Sequence, residues 1–569
     1  MVPRPWRHRG LIRPVAAALA GAFALLFFVA LSAPQAEAAD KRRLTIGISQ
    51  YPSTLHPSFD SMMAKSYIAG MARRRITTYS PEWLEICQLC TELPSLEKNT
   101  AAYETTPDGK PGMAVTYTLK PDAVWADGVP ITTRDIAFTV EVGKNPETGI
   151  DNAELYSRID SVDILDDKSF TLHLNKRTCD YSGLAGFDIL PAHIERPIFE
   201  QGASEYRHRS AYDTDPTQPG LWHGPYRVAR VTPGQSILLE RNPNWWGARP
   251  YFDEILVRAI ENTAALTANL LSGDIDMIAG EVGIPVDQAL SFEAKHGADF
   301  KAVYRPGLFY EHIDLNLDNP ILQDSRVRLA LLTAIDRDAI SQRLFKGVQP
   351  VAHGNVNPLD VRYDATAPRV AYNPDRAAAL LDEAGWRMGG NGIREKDGQP
   401  LTLTIQTTAG NTTRELVEQV LQNQWRAVGV DIRIENEPAR VLFGETISKR
   451  KFTGLAMFAW LSAPESIPRT TLHSSQIPTA ENAWIGQNYT GYANPEMDRI
   501  IDDLETECAE TDQARLWSRL QHLYAEDLPV LPLYFRSDPF LMPKNLTGVR
   551  PTGHQYPSTL WVEEWRLND

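Results

Sequence analysis

The stretch GPYRVARVTPGQSILLERNPNWWGARPYFDEILVRAIENTAALTANLLSGDIDM, residues 224–277, decides the fold. Alternating apolar residues predict three strands in it, over residues 226–231, 236–240 and 255–260. The pair Pro233-Gly234 predicts the turn between the first two strands. An apolar helical pattern follows over 263–271 and ends at Gly273, a residue that commonly stops helices. Three strands followed by a helix indicate a mixed α/β unit, which by itself implies no chemistry.

The length and charge of the chain narrow its class. Because 569 residues exceed what a single hydrophobic core organises, two or three domains are expected. Hydrophobic residues make up 43% and charged residues 23%, as is ordinary for a soluble globular protein. The formal net charge is -15, and binding to nucleic acid requires clustered Lys and Arg against the phosphates. We therefore expect no nucleic-acid partner.

The amino terminus has the layout of a secretory signal peptide over residues 1–38. Arginines precede an apolar run over residues 15–31, and Ala36-Glu37-Ala38 supplies small residues for an A-x-A cleavage site. The alternative is a permanent membrane anchor, for which this run lies at the lower limit of length. No cysteine directly follows the run, which argues against a lipid anchor. We expect export with cleavage near Ala38.

The cysteines Cys87, Cys90, Cys179 and Cys508 all lie in the expected mature part. An oxidising compartment permits disulfides, and the sequence leaves the pairing open. The C-x-x-C spacing of Cys87 and Cys90 also suits redox catalysis or half of a zinc site. Since no second such pair and no thioredoxin-like context accompanies it, we expect a structural disulfide or two buried thiols.

No catalytic constellation stands out in the sequence. The G-x-S-x-G, H-E-x-x-H, Walker and G-x-G-x-x-G patterns are missing, and the histidines are scattered. The acidic pairs Asp166-Asp167 and Asp502-Asp503 fit a turn and a helix surface. An enzyme is not expected, and no cofactor or metal site is predicted.

The carboxy-terminal half and a cluster of arginines give two further expectations. The carboxy-terminal half alternates strands with helices, which indicates an α/β lobe, and its strands are predicted over residues 300–303, 309–317, 401–405 and 430–434. Arg73, Arg74 and Arg75 form a small basic cluster, which we expect at the solvated surface.

Two other stretches, together with 224–277, carry a family resemblance. Residues 116–139 contain alternating apolar residues, a Trp-Ala-Asp-Gly turn and a helix that Thr132 or Thr133 caps. Residues 326–340 read RVRLALLTAIDRDAI. These three stretches, in their order along the chain, resemble the family 5 extracellular solute-binding proteins. That family comprises the periplasmic dipeptide, oligopeptide and nickel receptors of ABC importers. The resemblance spans nearly the whole mature chain.

The resemblance implies an α/β fold of two lobes, a type II-like periplasmic binding protein with an extra subdomain in the first lobe. Lobe I would then comprise residues 39–75, 222–310 and 535–569, with the extra subdomain at 76–221 and lobe II at 311–534. It also implies a periplasmic monomer without cofactor. This receptor would capture a peptide or peptide-like solute between its lobes and deliver it to ABC transporter permease subunits at the inner membrane.

The resemblance also implies a set of ligand contacts. The first lobe would contribute Ser61, Met62 and Met63, and the second Ala459, Trp460, Leu461, Ser462 and Ala463. Tyr310 and Trp484 are additional aromatic candidates. Met62 and Met63 have an alternative role as core residues, and Trp460 and Leu461 as the end of a buried strand.

The chain departs from the family at Ala463. Peptide receptors of this family have an aspartate there, which pairs with the free α-amine of the ligand, and alanine forms no such bond. Glu465 is a nearby carboxylate that would substitute if the loop were shifted. Otherwise the ligand lacks a free amine, as in a modified or cyclic peptide, an opine, a saccharide or a metal chelate. The alternative from another class is an exported hydrolase or a chaperone that uses the cleft.

Overall fold

A ten-stranded mixed sheet connects the two halves of the described chain. The computed structural model describes residues 42–60, 62–184, 186–482 and 484–568, so the expected signal peptide and Ser61 lie outside the described residues. The strands are β1 (Arg43–Ile48), β2 (Thr77–Tyr79), β3 (Glu85–Cys87), β4 (Ala101–Thr105), β5 (Pro111–Thr118), β6 (Ile159–Ile164), β7 (Ser169–Leu174), β8 (Tyr226–Thr232), β9 (Ser236–Arg241), β10 (Glu254–Ala259), β11 (Met277–Ile278), β12 (Phe300–Leu315), β13 (Arg387–Met388), β14 (Arg394–Lys396), β15 (Gln399–Pro400), β16 (Thr402–Gln406), β17 (Asp431–Ile434), β18 (Leu455–Leu461), β19 (Val530–Pro543), β20 (Leu546–Thr547) and β21 (Arg566–Leu567).

Helices flank these sheets on both halves. They are α1 (Met63–Ala72), α2 (Thr133–Lys144), α3 (Ala153–Ser157), α4 (Ala192–Phe199), α5 (Tyr206–Arg209), α6 (Ala211–Thr214), α7 (Thr263–Ser272), α8 (Val286–His296), α9 (Pro320–Gln323), α10 (Ser325–Thr333), α11 (Arg337–Phe345), α12 (Pro374–Glu383), α13 (Thr412–Ala427), α14 (Ala439–Val441), α15 (Arg469–Leu472), α16 (Pro495–Thr506) and α17 (Glu510–Asp527). Within the described ranges, none of the helices has both the length and the apolar character needed to cross a bilayer.

The stretch 224–277 folds as the sequence predicts. Its strands β8, β9 and β10 form antiparallel neighbours, and β10 pairs in parallel with β1. Helix α7 ends at Gly273, whose φ of 80° is a left-handed conformation that glycine adopts without steric cost. The unit therefore forms one end of the large sheet, which runs in the order β17-β16-β18-β12-β19-β11-β1-β10-β9-β8.

The long antiparallel strands β12 and β19 lie at the centre of this sheet and join its two halves. The sequence predicts two strands over 300–303 and 309–317, and the structure instead has one strand of 16 residues. The pair Pro306-Gly307 is typical of a loop and therefore predicts an end of the strand. In the structure the pairing with β19 nevertheless continues past this pair, through a register shift between Pro306 and Tyr310. Long-range pairing thus overrides the local signal.

Two large apolar cores lie in the two halves. The first core contains buried residues between positions 44 and 282 together with residues 540–565, and the second contains buried residues between 313 and 534. A separate antiparallel sheet, in the order β4-β5-β7-β6, belongs to the first core. Helix α2 packs beside it and begins with a capping box between Thr132 and Asp135, which confirms the predicted cap.

The structure decides the cysteine pairing that the sequence leaves open. Cys87 forms a disulfide with Cys90, with a Cα–Cα distance of 5.1 Å. Of the two expected states of the C-x-x-C pair, a structural disulfide or two buried thiols, the structure has the disulfide. Cys179 bonds to Cys508 with a Cα–Cα distance of 5.0 Å. The second disulfide connects the loop after β7 to the loop between α16 and α17.

Candidate ligand-binding cleft

The expected second-lobe contacts lie at the end of β18. This strand pairs antiparallel with β12, so Trp460 lies opposite Tyr310 and Leu461 lies opposite Phe309. The strand ends at Leu461, whose side chain is 39% exposed. Ser462 therefore begins a loop that leaves the sheet.

A cavity of about 150 Å³ lies beside this strand end. Its lining includes the predicted residues Tyr310, Trp460, Leu461, Ser462 and Ala463. The hydroxyl groups of Tyr310 and Tyr524 form a hydrogen bond of 2.9 Å, which holds the Tyr310 ring in place. The structure thus brings together five residues that the sequence selects on separate stretches.

Aromatic contacts orient Trp460 at this cavity. Its ring stacks on Tyr489 at 5.7 Å between centroids and meets Phe458 edge-on at 5.4 Å. Such offset and edge-on arrangements add stability beyond the apolar area they bury. Trp460 itself is half-buried, so part of the ring remains available to a ligand.

A larger cavity, of about 730 Å³, contains the expected first-lobe contacts. Met62 and Met63, at the start of α1, line it together with Phe309 and Leu461 from the paired strands. Leu461 lines both cavities, which makes them adjacent parts of one cleft. Methionine suits such a surface because its flexible, polarisable side chain adapts to different ligands.

Ala459 and Trp484 do not lie with the predicted residues that line the two cavities. Ala459 lies within β18 opposite Glu311 and does not line either cavity. Trp484 lies in a turn, is 37% exposed, and likewise lines neither. Their predicted contact with a ligand therefore has no support from cavity geometry.

A buried ion-pair cluster fixes the strands next to the cleft. The carboxylate of Glu311, on β12, accepts from Arg414 Nε at 2.6 Å and from Arg536 Nε at 2.7 Å. Burial acts to raise the pKa of Glu311, but the two guanidinium groups outweigh it and hold the pKa below its ordinary value. Because Arg414 belongs to α13 and Arg536 to β19, this carboxylate ties three elements together.

The loop after Ala463 does not offer the substitute acid that the sequence suggested. The carboxylate of Glu465 accepts from Arg362 Nε at 2.9 Å, and the backbone N–H of Glu465 donates to Asp360 at 2.8 Å. Glu465 does not line the smaller cavity. Asp360 lines the smaller cavity, but its carboxylate accepts hydrogen bonds from the backbone N–H groups of Arg362 and Glu465. Burial raises the pKa of Asp360. Both carboxylates therefore hold the loop.

The basic cluster after α1 is not at the surface, and the sequence expectation there is wrong. Arg73 and Arg74 are only 5% and 4% exposed, and Arg73 and Arg75 line the larger cavity. Lys65, in α1, also lines it, and burial lowers the pKa of its amine to about 8. The run of arginines itself carries no signal of this burial; the one hint in the sequence is the apolar stretch Met63–Ala72 that Arg73 directly follows.

The Lys65 amine shapes the loop before α1. It donates to the carbonyl oxygens of His56 at 3.2 Å and Pro57 at 3.1 Å, and also to that of Phe59. This loop leads to Met62 and Met63, so Lys65 helps to position the methionines. Among the described residues, no group of three or more His, Cys, Asp or Glu side chains is arranged to hold a metal ion.

Comparison with known proteins identifies the family. The model of bacterial extracellular solute-binding proteins, family 5, middle region, matches residues 100–477. The chain belongs to this family. An oligopeptide-binding protein of Bacillus subtilis, AppA, is 27% identical over 463 residues, which cover 80% of this chain and 81% of the relative.

Solved structures of family 5 proteins agree with the fold. The oligopeptide-binding protein from Thermus thermophilus, complexed with a pentapeptide, is 29% identical with a TM-score of 0.66, over 91% of this chain and 95% of that one. NikA from Brucella suis, in complex with Fe(III)-EDTA, is 19% identical with a TM-score of 0.73, over 92% and 100% of the two chains, and this likeness concerns the fold alone. The predicted two-lobed α/β binding-protein fold is confirmed.

Proposed function

We propose that this protein is the periplasmic receptor of an ABC importer and that it encloses a peptide or peptide-like solute between its two lobes. The observation that carries the proposal is the position of Leu461, which lines both cavities while Met62 and Met63 line the larger one. A solute in this cleft contacts both halves of the molecule at once. Since such contacts require a closed cleft, binding favours the closed form, which the permease then recognises.

The strand end at Leu461 suits an extended ligand. A peptide that adds to the end of β18 would gain affinity from main-chain hydrogen bonds, while its side chains enter the adjoining cavities. The cavity of about 730 Å³ is of the size that small-molecule sites have. The relatives named oligopeptide-binding proteins support a peptide-like ligand for this chain.

The loop chemistry restricts the ligand further. The methyl side chain of Ala463 has no acceptor for an α-amine, and the nearby carboxylate of Glu465 is paired with Arg362. We therefore favour a solute without a free α-amine, such as an amino-blocked or cyclic peptide. The second candidate is a non-peptide solute, an opine, a saccharide or a metal chelate, and Ala463 is the residue that favours it.

The rest of the proposal concerns the form of the protein. A signal peptide over residues 1–38 would export it, and it would act as a monomer without cofactor. Lobe I would comprise residues 39–75, 222–310 and 535–569, and lobe II residues 311–534. The protein would not change its solute chemically.

The test is mass spectrometry of the solute released when purified native protein is denatured, followed by calorimetry with that solute. We expect one intact solute class, bound at one molecule per protein, which returns unchanged after prolonged incubation. Conversion of the solute would favour the hydrolase alternative. Failure to find any solute, together with failure to bind an amino-blocked peptide library, would contradict the receptor proposal.

A further inference from the structure

A third cavity, of about 720 Å³, adjoins the cleft and is lined from both halves of the chain. Residues 280–288, which lead into α8, line it from one half, and residues 410–414, at the start of α13, line it from the other. Met63 and Phe309 line both this third cavity and the larger cavity of the cleft. A solute that contacts Met63 and Phe309 therefore also reaches the third cavity.

Asp538, on β19, places an unpaired carboxylate at the third cavity. The residue is half-buried, and its carboxylate forms neither a hydrogen bond nor an ion pair with any described residue. Its oxygens are not sealed inside the protein, so they are open to the cavity that the residue lines. A carboxylate that is partly removed from water gains most from a cation that comes to it.

The arginines near Asp538 are bound to other groups. Arg536, two positions earlier on the same strand, donates from Nε to the Glu311 carboxylate at 2.7 Å and from Nη2 to the same oxygen. Arg305 lies opposite Asp538 in the pairing of β12 with β19, but its Nη2 donates to the carbonyl of Pro81 at 2.7 Å. Neither guanidinium group forms an ion pair with Asp538.

The charges around Asp538 are mainly negative. Glu281 lines the same cavity, and burial together with the charge of Glu281 outweighs Arg536 and raises the pKa of Asp538 to about 8. Among the described residues, the charged groups that line this cavity are Glu281, Asp287, Asp538, Arg414 and Arg536. Both of these arginines bind Glu311, and with Glu311 included the acids outnumber the cations. A cavity with this balance attracts cations.

We propose that Asp538 binds a cationic side chain of the solute, an ammonium or guanidinium group, so that the third cavity selects a basic, peptide-like ligand. The inference rests on the receptor function proposed above and names the class of its solute. This position is separate from the missing amine anchor, because Ala463 lines the smaller cavity and Asp538 does not. A solute whose α-amine is blocked can therefore still carry the charge that Asp538 binds through a charge-assisted hydrogen bond.

The probes are three tripeptides with both termini blocked: acetyl-Ala-Lys-Ala-amide, acetyl-Ala-Arg-Ala-amide and acetyl-Ala-Gln-Ala-amide. The central side chain carries the one charge of the two basic peptides. Calorimetry on the wild-type protein at pH 9 should show that the basic peptides bind about ten-fold more tightly than the Gln peptide.

The preference should depend on pH in a defined direction. At pH 6 Asp538 is protonated and should bind the basic and neutral peptides about equally. Its carboxylate loses the proton as the pH rises through about 8, whereas a lysine side chain stays charged up to about pH 10. The preference should therefore grow from about none at pH 6 to about ten-fold at pH 9. This comparison needs no variant, so it decides the matter even if a substituted protein folds poorly.

The variants test whether Asp538 is responsible. In Asp538→Asn the basic and neutral peptides should bind equally well at every pH, and in Asp538→Glu part of the preference should remain. Glu418→Gln is the matched control. Burial raises the pKa of Glu418 to about 7, but this residue accepts a hydrogen bond from Asn436 at 2.7 Å and lines none of the three cavities. It should leave the preference and its pH dependence intact.

The outcomes separate this inference from the receptor proposal. Binding of all three peptides with equal affinity at pH 9 would overturn the cationic subsite and leave the receptor function standing. A preference that does not change between pH 6 and 9, or that persists in folded Asp538→Asn protein, would also overturn it. If none of the three peptides binds the wild-type protein, the peptide-receptor proposal and the subsite fail together.

Discussion

Cys179 and Cys508 form a disulfide across 329 positions of sequence, and the backbone N–H of Cys179 donates to the carbonyl of Glu505 at 3.0 Å. Cys179 follows a strand of the first core, whereas Cys508 separates two helices that pack on the other half of the molecule. The bond therefore ties together the two sides of a protein whose proposed function requires them to move. We therefore expect this disulfide to restrict how far the cleft opens.

Removal of this disulfide in Cys179→Ser/Cys508→Ser should lower the free energy of unfolding by about 2 to 5 kcal/mol, because the unfolded chain regains the freedom of a very long loop. The ligand-free variant should also have a larger radius of gyration in small-angle X-ray scattering. The control is Cys87→Ser/Cys90→Ser, whose disulfide spans only 3 positions and should matter less to both measurements. Equal effects of the two double variants would contradict the interpretation.

Trp460→Ala should weaken binding of the native solute by about 1 to 3 kcal/mol in calorimetry, the range for a central aromatic contact. The ring is half-buried against Tyr489 and lines the smaller cavity. Trp245→Ala is the control, because Trp245 packs against Trp246 and lines neither cavity. An unchanged affinity in Trp460→Ala would remove this residue from the site.

Unmodified di- and tripeptides should bind weakly to the wild-type protein, since Ala463 provides no partner for a free α-amine. Ala463→Asp should strengthen the binding of unmodified tripeptides by about 2 kcal/mol through a charge-assisted hydrogen bond. Ala463→Asn has nearly the same shape as the aspartate variant without the charge and should not do so. Micromolar binding of unmodified tripeptides to the wild-type protein in thermal-shift and calorimetric screens would refute the prediction.

Acid should destabilise the protein through His223. Burial, together with the charge of Arg73, lowers the pKa of this histidine to about 3, whereas the unfolded chain protonates near 6.5. Between these values the unfolded state binds more protons, so the stability that the neutral ring provides above pH 6.5 is lost as the pH falls towards 3. The loss from this one group is at most about 1.4 kcal/mol per pH unit.

Urea denaturation between pH 7 and 4 checks this linkage. His223→Gln should show a shallower decline of the unfolding free energy than the wild type. Trp125→Phe is the control, since Trp125 meets His223 edge-on at 4.7 Å and does not titrate. It should lower stability at pH 7 and leave a decline towards pH 4 that is steeper than in His223→Gln. Parallel curves for His223→Gln and wild type would refute the assignment.

Much of the fold could be predicted because its signals are local. The strands and helix of residues 224–277, the Thr132 cap and the stop at Gly273 depend on side chains a few positions apart, which fix alternation, capping and backbone conformation. The failure at Pro306 has the opposite cause. There the long partner strand supplies hydrogen bonds that outweigh the local break.

The candidate site could be predicted only in part. The loop at Met62 and the strand end at Trp460 and Leu461 followed from resemblance to the family, and the structure brings them to adjoining cavities. Arg73 was expected in solvent and is buried in the cleft. Side-chain burial depends on which distant segments cover a residue, and a run of arginines shows nothing of that.

The sequence alone determined most of the secondary-structure pattern and the family of the protein, and it places alanine at position 463. These depend on residue identity and on neighbours along the chain. Only the tertiary structure decided that Cys179 pairs with Cys508, that Glu465 is bound to Arg362, and that Arg73 is buried. Each of these depends on contacts between groups far apart in sequence, which form only when the chain packs.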